Sequence, residues 1–388
     1  MILRLAVAVW FGVSAPLFAQ STWVVNAGGG PGVHFTTLPA AVSAAAPGDT
    51  ILVQAGPFGE GAVGFSTNKG LTIVGVGGAV PIWTAFSQPV VVNGLPAGQS
   101  FRMSGFVRPT NGEINLQAIN CVGDVHFANM VADEPDSFFP VWPAIEITNS
   151  ASVMLRGIET FGWPAVQINA SHVTLLACRL GITSLGLGGG PCVHATNSTL
   201  HIVQPTFNPA WSPYAVLATN CYVDVSGDGS ASLAGGQQTF GTNVPILANG
   251  GQVVLDPAVP MPTFPPNGPK VSGTAAVVTA SVPASWLASA MVQGQPLTFR
   301  SSAPAGAVVF QALGLPGPMV VVPLGMLGLD LGQGVAFFPA VVVPAGGVVN
   351  HTVTVPAAMP SGLAVASQSV VWLGSSIALG LPVTAVVR

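Results

Sequence analysis

Between residues 145 and 255 the chain repeats one alternation of apolar and polar positions. The copies read Ile145-Glu-Ile-Thr-Asn-Ser-Ala-Ser-Val153, Val166-Gln-Ile-Asn-Ala-Ser-His-Val173, Val193-His-Ala-Thr-Asn-Ser-Thr-Leu200, Val216-Leu-Ala-Thr-Asn-Cys-Tyr-Val223 and Ile246-Leu-Ala-Asn-Gly-Gly-Gln-Val253. Each runs apolar, polar, apolar, passes a small polar corner, and opens a second alternating strand such as Val153-Met-Leu155 or Val223-Asp-Val225. Alternation with period two turns one face of a short strand inward and the other outward. A fixed phrase on a loosely fixed period predicts stacked units joined by loops of unequal length.

The corner carries its own signal. Asn120, Asn149, Asn197 and Asn220 share the fifth place of the phrase, and Gly250 holds it in the last copy. A tight corner between strands needs a residue in the left-handed region, which Asn tolerates better than any residue but Gly. These asparagines are expected to stack as a structural turn ladder. Prolines shortly before several first strands (Pro143, Pro164, Pro191, Pro213, Pro245) sit where no strand hydrogen bond is lost.

The chain opens with a strand at Thr22–Val25, a glycine-rich turn and a short helix beginning near Phe35. Thr36 or Thr37 can cap that helix, Pro39 suits its first turn, and Leu38, Ala41, Val42 and Ala45 fall on one face. Strands follow at Asp49–Gln54 and Lys69–Val74. A helix here reads as a lid on the open end of a strand stack. Residues 258–283 are proline-rich and read as a linker or final cap. Residues 284–388 hold about six short strands separated by turn signals, the pattern of a small antiparallel β-sandwich.

Composition narrows the function. Only 6% of the 388 residues are charged, against about 25% in an ordinary soluble domain. A net charge of −4 provides no basic footprint, so nucleic acid is not an expected partner. Residues 1–19 have the form of a secretory signal: Arg4, an apolar run Leu5–Val13, and a small residue at Ala19. No later stretch predicts a transmembrane segment. The expected location is therefore secreted or cell-envelope. The cysteines are Cys121, Cys178, Cys192 and Cys221; Cys178 and Cys192 could bridge a loop, while Cys121 and Cys221 read as buried fillers. No spacing predicts zinc. The sequence leaves the oligomeric state open.

The opening phrase Phe35-Thr-Thr-Leu-Pro-Ala-Ala-Val42, then Asp49-Thr-Ile-Leu-Val53 and Lys69-Gly-Leu-Thr-Ile-Val-Gly75, together with the repeats, resembles right-handed parallel β-helix proteins of the pectin-lyase-like superfamily. The resemblance covers roughly residues 22–257 and implies an all-β fold: a right-handed parallel β-helix with a short N-terminal capping helix, then the sandwich. The C-terminal region also resembles a small all-β domain of exported planctomycete-type proteins that often ends in a strand and an Arg, as Val386-Val-Arg388 does. Enzymes of the superfamily rely on clustered acids, with calcium and an Arg base in pectate lyases. This chain has no Asp-Asp, Asn-Thr-Asp or His-Gly, so no catalytic residue carries over.

In register, the outward column of the first strands is Glu146, Gln167, His194, Leu217, Leu247, and that of the second strands is Arg102, His126, Met154, Thr174, His201, Asp224, Val254. Neither holds two acids one rung apart, at about 5 Å, as a carboxylate pair requires. The acids Asp133, Glu134 and Asp136 form a loop cluster that is only a weak metal candidate. A lyase or hydrolase would have to be assembled from these with Glu146, Arg156 and Glu159, and calcium enters only on that alternative. Trp142, Trp163 and Trp211 precede first strands, where planar rings could meet sugar faces while Glu146, Gln167 and His194 bind hydroxyls. The expectation is an exported, non-catalytic β-helix protein that binds a polysaccharide or cell-surface glycan, or serves the cell envelope as a structural or adhesive element. The alternative is a polysaccharide lyase or glycoside hydrolase.

Overall fold

The computed structural model describes residues 20–387 apart from segments 55–56, 59–63, 77–81, 84–88, 107–114, 134–142, 162–163, 183–189, 210–211, 236–242, 264–265 and 290. It is an all-β chain: a parallel β-helix of about eight turns followed by antiparallel sheets.

Three parallel sheets wall the helix. The first stacks Phe65–Thr67, Val90–Asn93, Leu116–Ile119, Ile145–Thr148, Val166–Asn169 and Val193–Thr196, then the leading halves of Val216–Ser226 and Ile246–Leu255. The second runs from Thr22–Val25 and Thr50–Gln54 through Ser152–Arg156, His172–Leu176 and Thr199–Val203 to Ala276–Thr279. The third holds the end of Asp124–Asp133, then Glu159–Phe161, Arg179–Ile182, Thr206–Pro209 and Ser232–Leu233.

The alternation dictates the core. Leu116, Ile145, Val166, Val193, Val216 and Ile246 form one fully buried column, and Phe127, Leu155, Leu175, Ile202 and Val225 form another. Each such side chain contributes about 1.5–3 kcal/mol by leaving water. Phe101 stacks between Phe65 and Phe127 at centroid distances of 6.3 and 6.0 Å.

The first rung is covered as expected. The helix spans Leu38–Ala44, with Thr37 at its extended N-cap and no side-chain capping bond. Leu38, Ala41, Val42 and Ala45 are buried against the stack. Two charged residues pin this lid. Asp49 accepts from Ser21 N, Ala46 N and Trp23 Nε1, each at 2.9 Å. Lys69 Nζ donates to the carbonyls of Val42, Ser43 and Ala45 at 3.1, 2.8 and 2.8 Å, filling the helix C-terminus with a cation.

The stack runs further than residue 257. Val271–Gly273 pairs with Ile246–Ala248, and Ala276–Thr279 pairs with Gln252–Leu255. Pro257, Pro260, Pro262, Pro266 and Pro269 therefore lie between rungs rather than in a linker, and Val259 and Met261 join the helix core.

The C-terminal region forms two facing antiparallel sheets. One holds Ala284–Leu287, Pro296–Ser302 and Val348–Thr354; the other is built on Val308–Gly314 and Ala364–Leu373. Leu297, Phe299, Val355, Val365 and Val387 fill the space between them. This sandwich docks on the outer face of the second sheet: Leu176 and Val203 pack with Ala284, Trp286, Leu381 and Val383. Arg300 lies 3.8 Å from Asp228 at the same junction.

All four cysteines are buried free thiols. Cys178 and Cys192 are not bridged, which corrects the pairing considered from sequence. The Cys178 thiol donates to Leu155 O at 3.2 Å and Cys192 to Leu180 O at 3.6 Å, and burial pushes the Cys178 thiol up to about 12.

Candidate functional site

The corner between the first and second sheets is built as the phrase requires. Asn120, Asn149, Asn197 and Asn220 have φ of 54°, 49°, 50° and 54°, and Gly250 has 75°. Each corner N–H donates to the rung above, as in Asn149 N to Asn169 O at 3.0 Å and Asn197 N to Thr219 O at 2.9 Å. Asn149 Nδ2 donates to Asn120 Oδ1 at 3.2 Å, and Asn220 Nδ2 to Asn197 Oδ1 at 3.4 Å. Beneath this outer ladder runs an inner one. The N–H of Cys121 bonds Ser150 Oγ, that of Ser150 bonds Ser171 Oγ, and that of Ser171 bonds Ser198 Oγ, at 3.3, 3.0 and 3.1 Å. The hydroxyls in turn donate to carbonyls of their own turn. Small polar residues follow the asparagines because this buried corner offers N–H and C=O groups that must be paired.

The outer ladder is broken at one rung. Ala170 stands at the fifth place with φ 47°. An alanine there carries left-handed strain and returns no amide. Asn149 gives its Nδ2 downward, and among the described residues its Oδ1 has no donor toward the gap; Asn197 accepts from above at Oδ1, and among the described residues its Nδ2 has no acceptor. The gap thus has an acceptor on one side and a donor on the other, two rungs apart, or about 9–10 Å.

Loop length turns the gap into a groove. Three residues, Cys121 to Gly123, separate Asn120 from its second strand, and two, Ser150 and Ala151, follow Asn149, whereas one follows Ala170 and Asn197. The lower corners therefore bulge past the upper ones. The result is an open groove of about 450 Å3 lined by Val122, Ala151, Ala170, His172, Asn197 and Thr199 among others. Val122 is 63% exposed, an apolar edge beside the amides. No Lys or Arg lines the groove.

His172 begins a relay into the protein. Its Nε2 lies 2.9 Å from His201 Nε2, and His201 Nδ1 lies 2.5 Å from Asp224 Oδ2. His201 and Asp224 are buried on the sheet face that the sandwich covers, and His172 sits at its edge. Burial, then His201, holds the His172 imidazole down at about 4, against a smaller opposing pull from Asp224. Burial and then Asp224 raise the neighbouring Tyr222 phenol, whose ring meets His201 edge-on at 6.1 Å. Lower on the same face, burial, then Arg102 and Arg156, hold His126 at about 3.

The expected columns form. Glu146 pairs in register with Gln167 and Gln167 with His194, and Gln117 extends the column below. All four lie in one column of the first sheet, three residues before the corner, and burial lowers His194. Arg156 and Glu159 do not join Glu146. Arg156 is buried on the second sheet, and Glu159 on the third pairs with Arg179 at 3.1 Å. Trp142, Trp163, Trp211, Glu134 and Asp136 lie outside the described residues, and Asp133 ends its strand. Among the described residues no group of three or more His, Cys, Asp or Glu side chains could hold a metal ion, and no helix is long and apolar enough to cross a membrane. Reading the columns for paired acids overlooked His201 and Asp224, which stand at the same place in consecutive copies. The broken rung was also visible, as Ala170 among asparagines.

No family model matches the chain, and no curated protein matches it. Among solved structures it is similar to tailspike protein 2 of bacteriophage CBA120. The enzymatically active domain is 10% identical with a TM-score of 0.28, covering 88% of this chain and 69% of that one. The full-length tailspike from an Escherichia coli O157:H7 bacteriophage is 10% identical with a TM-score of 0.27, covering 88% and 62%.

Proposed function

We propose that this is an exported glycan-binding β-helix protein whose recognition surface is the groove at the broken rung. The carrying observation is the interruption at Ala170, which leaves the Asn149 acceptor and the Asn197 donor facing a 450 Å3 space. A pyranose ring offers hydroxyls that both donate and accept, and an apolar face suited to Val122. The spacing of the two amides fits successive positions on one chain better than a small ion. Gln117, Glu146, Gln167 and His194 form a polar column on the adjoining first sheet.

The proposed activity is binding without cleavage, since the groove brings no acid pair to a glycosidic oxygen. The test is a polysaccharide panel, scored for binding and for product release with and without calcium. Binding that Ala170→Asn removes, with no products, is expected. Released oligosaccharides would overturn the non-catalytic reading, and undiminished binding by Ala170→Asn would overturn the groove.

A further inference from the structure

The relay behind His172 bears on which sugar the groove takes. This inference rests on the glycan-binding reading above.

The contact between the two histidines is a hydrogen bond rather than half of a metal site. Their Nε2 atoms are 2.9 Å apart while the ring centroids are 5.0 Å apart, so the rings meet almost nitrogen to nitrogen. A shared metal would need the two lone pairs to converge at an angle on one point. A head-on pair instead shares one proton.

The third member decides where that proton sits. A carboxylate only accepts, so His201 Nδ1 carries the hydrogen directed at Asp224 Oδ2. We take both rings as neutral, and on that premise His201 Nε2 is a lone pair and the proton between the rings belongs to His172 Nε2. His172 Nδ1 is left bare, and no protein group donates to it among the described residues. Burial helps keep His172 neutral.

We propose that the groove is selective for uncharged, hydroxyl-bearing sugars and rejects uronic acids, because Asp224, acting through His201, fixes Nδ1 of the groove-lining His172 as an acceptor. A hydroxyl can donate to that nitrogen. A sugar carboxylate cannot, and it would set an acceptor against a lone pair with the Asp224 charge behind it. Among the described residues no Lys or Arg lines the groove to compensate. Asp224 and His201 are positioning residues here, and His172 is the specificity residue.

The relay can be reversed. Asp224→Asn removes the charge behind the relay, and with its Nδ2 turned to His201 Nδ1 the shared proton moves to His201 Nε2 and His172 Nδ1 becomes a donor. The test uses the full chain and matched oligosaccharides differing by the carboxylate: galactan and galacturonan, mannan and mannuronan, glucan and glucuronan. The wild type is expected to bind the neutral member of at least one pair at least tenfold more tightly than its uronate. Asp224→Asn should reduce that preference at least tenfold, and His172→Ala should remove most neutral binding. Nitrogen NMR of the wild type should show His172 Nδ1 unprotonated at neutral pH, a readout that stands even if the Asn variant fails to fold. Binding to no member of any pair overturns this inference together with the glycan reading. Equal binding of neutral and acidic partners, a protonated Nδ1 in neutral His172, or an unchanged preference in folded Asp224→Asn overturns the selectivity alone.

Discussion

Ala170→Asn separates what the corner needs for stability from what it needs for binding. Ala170 holds φ 47°, and an L-residue with a Cβ loses roughly 1–2 kcal/mol in that region, a cost Asn largely escapes. A new amide at this rung could bond Asn149 Oδ1 below and Asn197 Nδ2 above. The existing ladder contacts are exposed and long, at 3.2 and 3.4 Å, so each new one adds about 0.5 kcal/mol, the low end for a net hydrogen bond. Ordering the longer side chain takes back a similar amount. The balance is a gain of about 1 kcal/mol, read as a rise of about 2–4 °C in Tm or a higher urea midpoint. The same amide fills the groove, so glycan binding should disappear as stability rises. Ala170→Gly is the control: it relieves the strain, leaves the floor open and should keep binding. Loss of stability in Ala170→Asn, or retained binding with the ladder completed, would refute the reasoning.

Other consequences can be checked by similar means. His172 and His126 sit near 4 and 3 in the folded chain, below their ordinary 6.5. The unfolded chain therefore binds more protons below pH 6.5, and stability should fall from there toward pH 3–4, by at most about 1.4 kcal/mol per pH unit for each histidine; a flat urea midpoint between pH 7 and 4 would contradict this. Asp49→Ala strips three donors of their acceptor and should cost about 2–4 kcal/mol, with hydrogen exchange accelerating first at the N-terminal rung. Gly250→Ala would place a Cβ 2.7 Å from Asn220 Oδ1 at φ 75°, so a loss of about 1–2 kcal/mol is expected in chemical denaturation.

The fold was legible because a solenoid repeats its physics. The apolar–x–apolar strands, the asparagine corner and the Asp49 and Lys69 phrases each return a local rule that the stack obeys. The end of the stack was less legible: the prolines between 257 and 269 look like a stop, yet those described lie outside the strands, where no strand donor is needed, and pairing resumes at Val271. The second corner, with Asn129, Gly157, Ala177 and Gln204 at φ 49° to 55°, uses four residue types and so leaves no readable column. The site was partly legible. The register of Glu146, Gln167 and His194 followed from the repeats. The groove did not, because it depends on how far Val122 and Ala151 bulge relative to the flush corners above. Nor did the relay, in which His172 and His201 occupy different columns and meet only across a rung.

The most direct test of the groove is a crystal structure of the chain with a bound neutral oligosaccharide. It should show a sugar ring over Ala170 beside Val122, one hydroxyl donating to Asn149 Oδ1, another accepting from Asn197 Nδ2, and a third donating to His172 Nδ1. A sugar seated elsewhere on the β-helix or on the sandwich, with the gap at Ala170 holding only water, would contradict it.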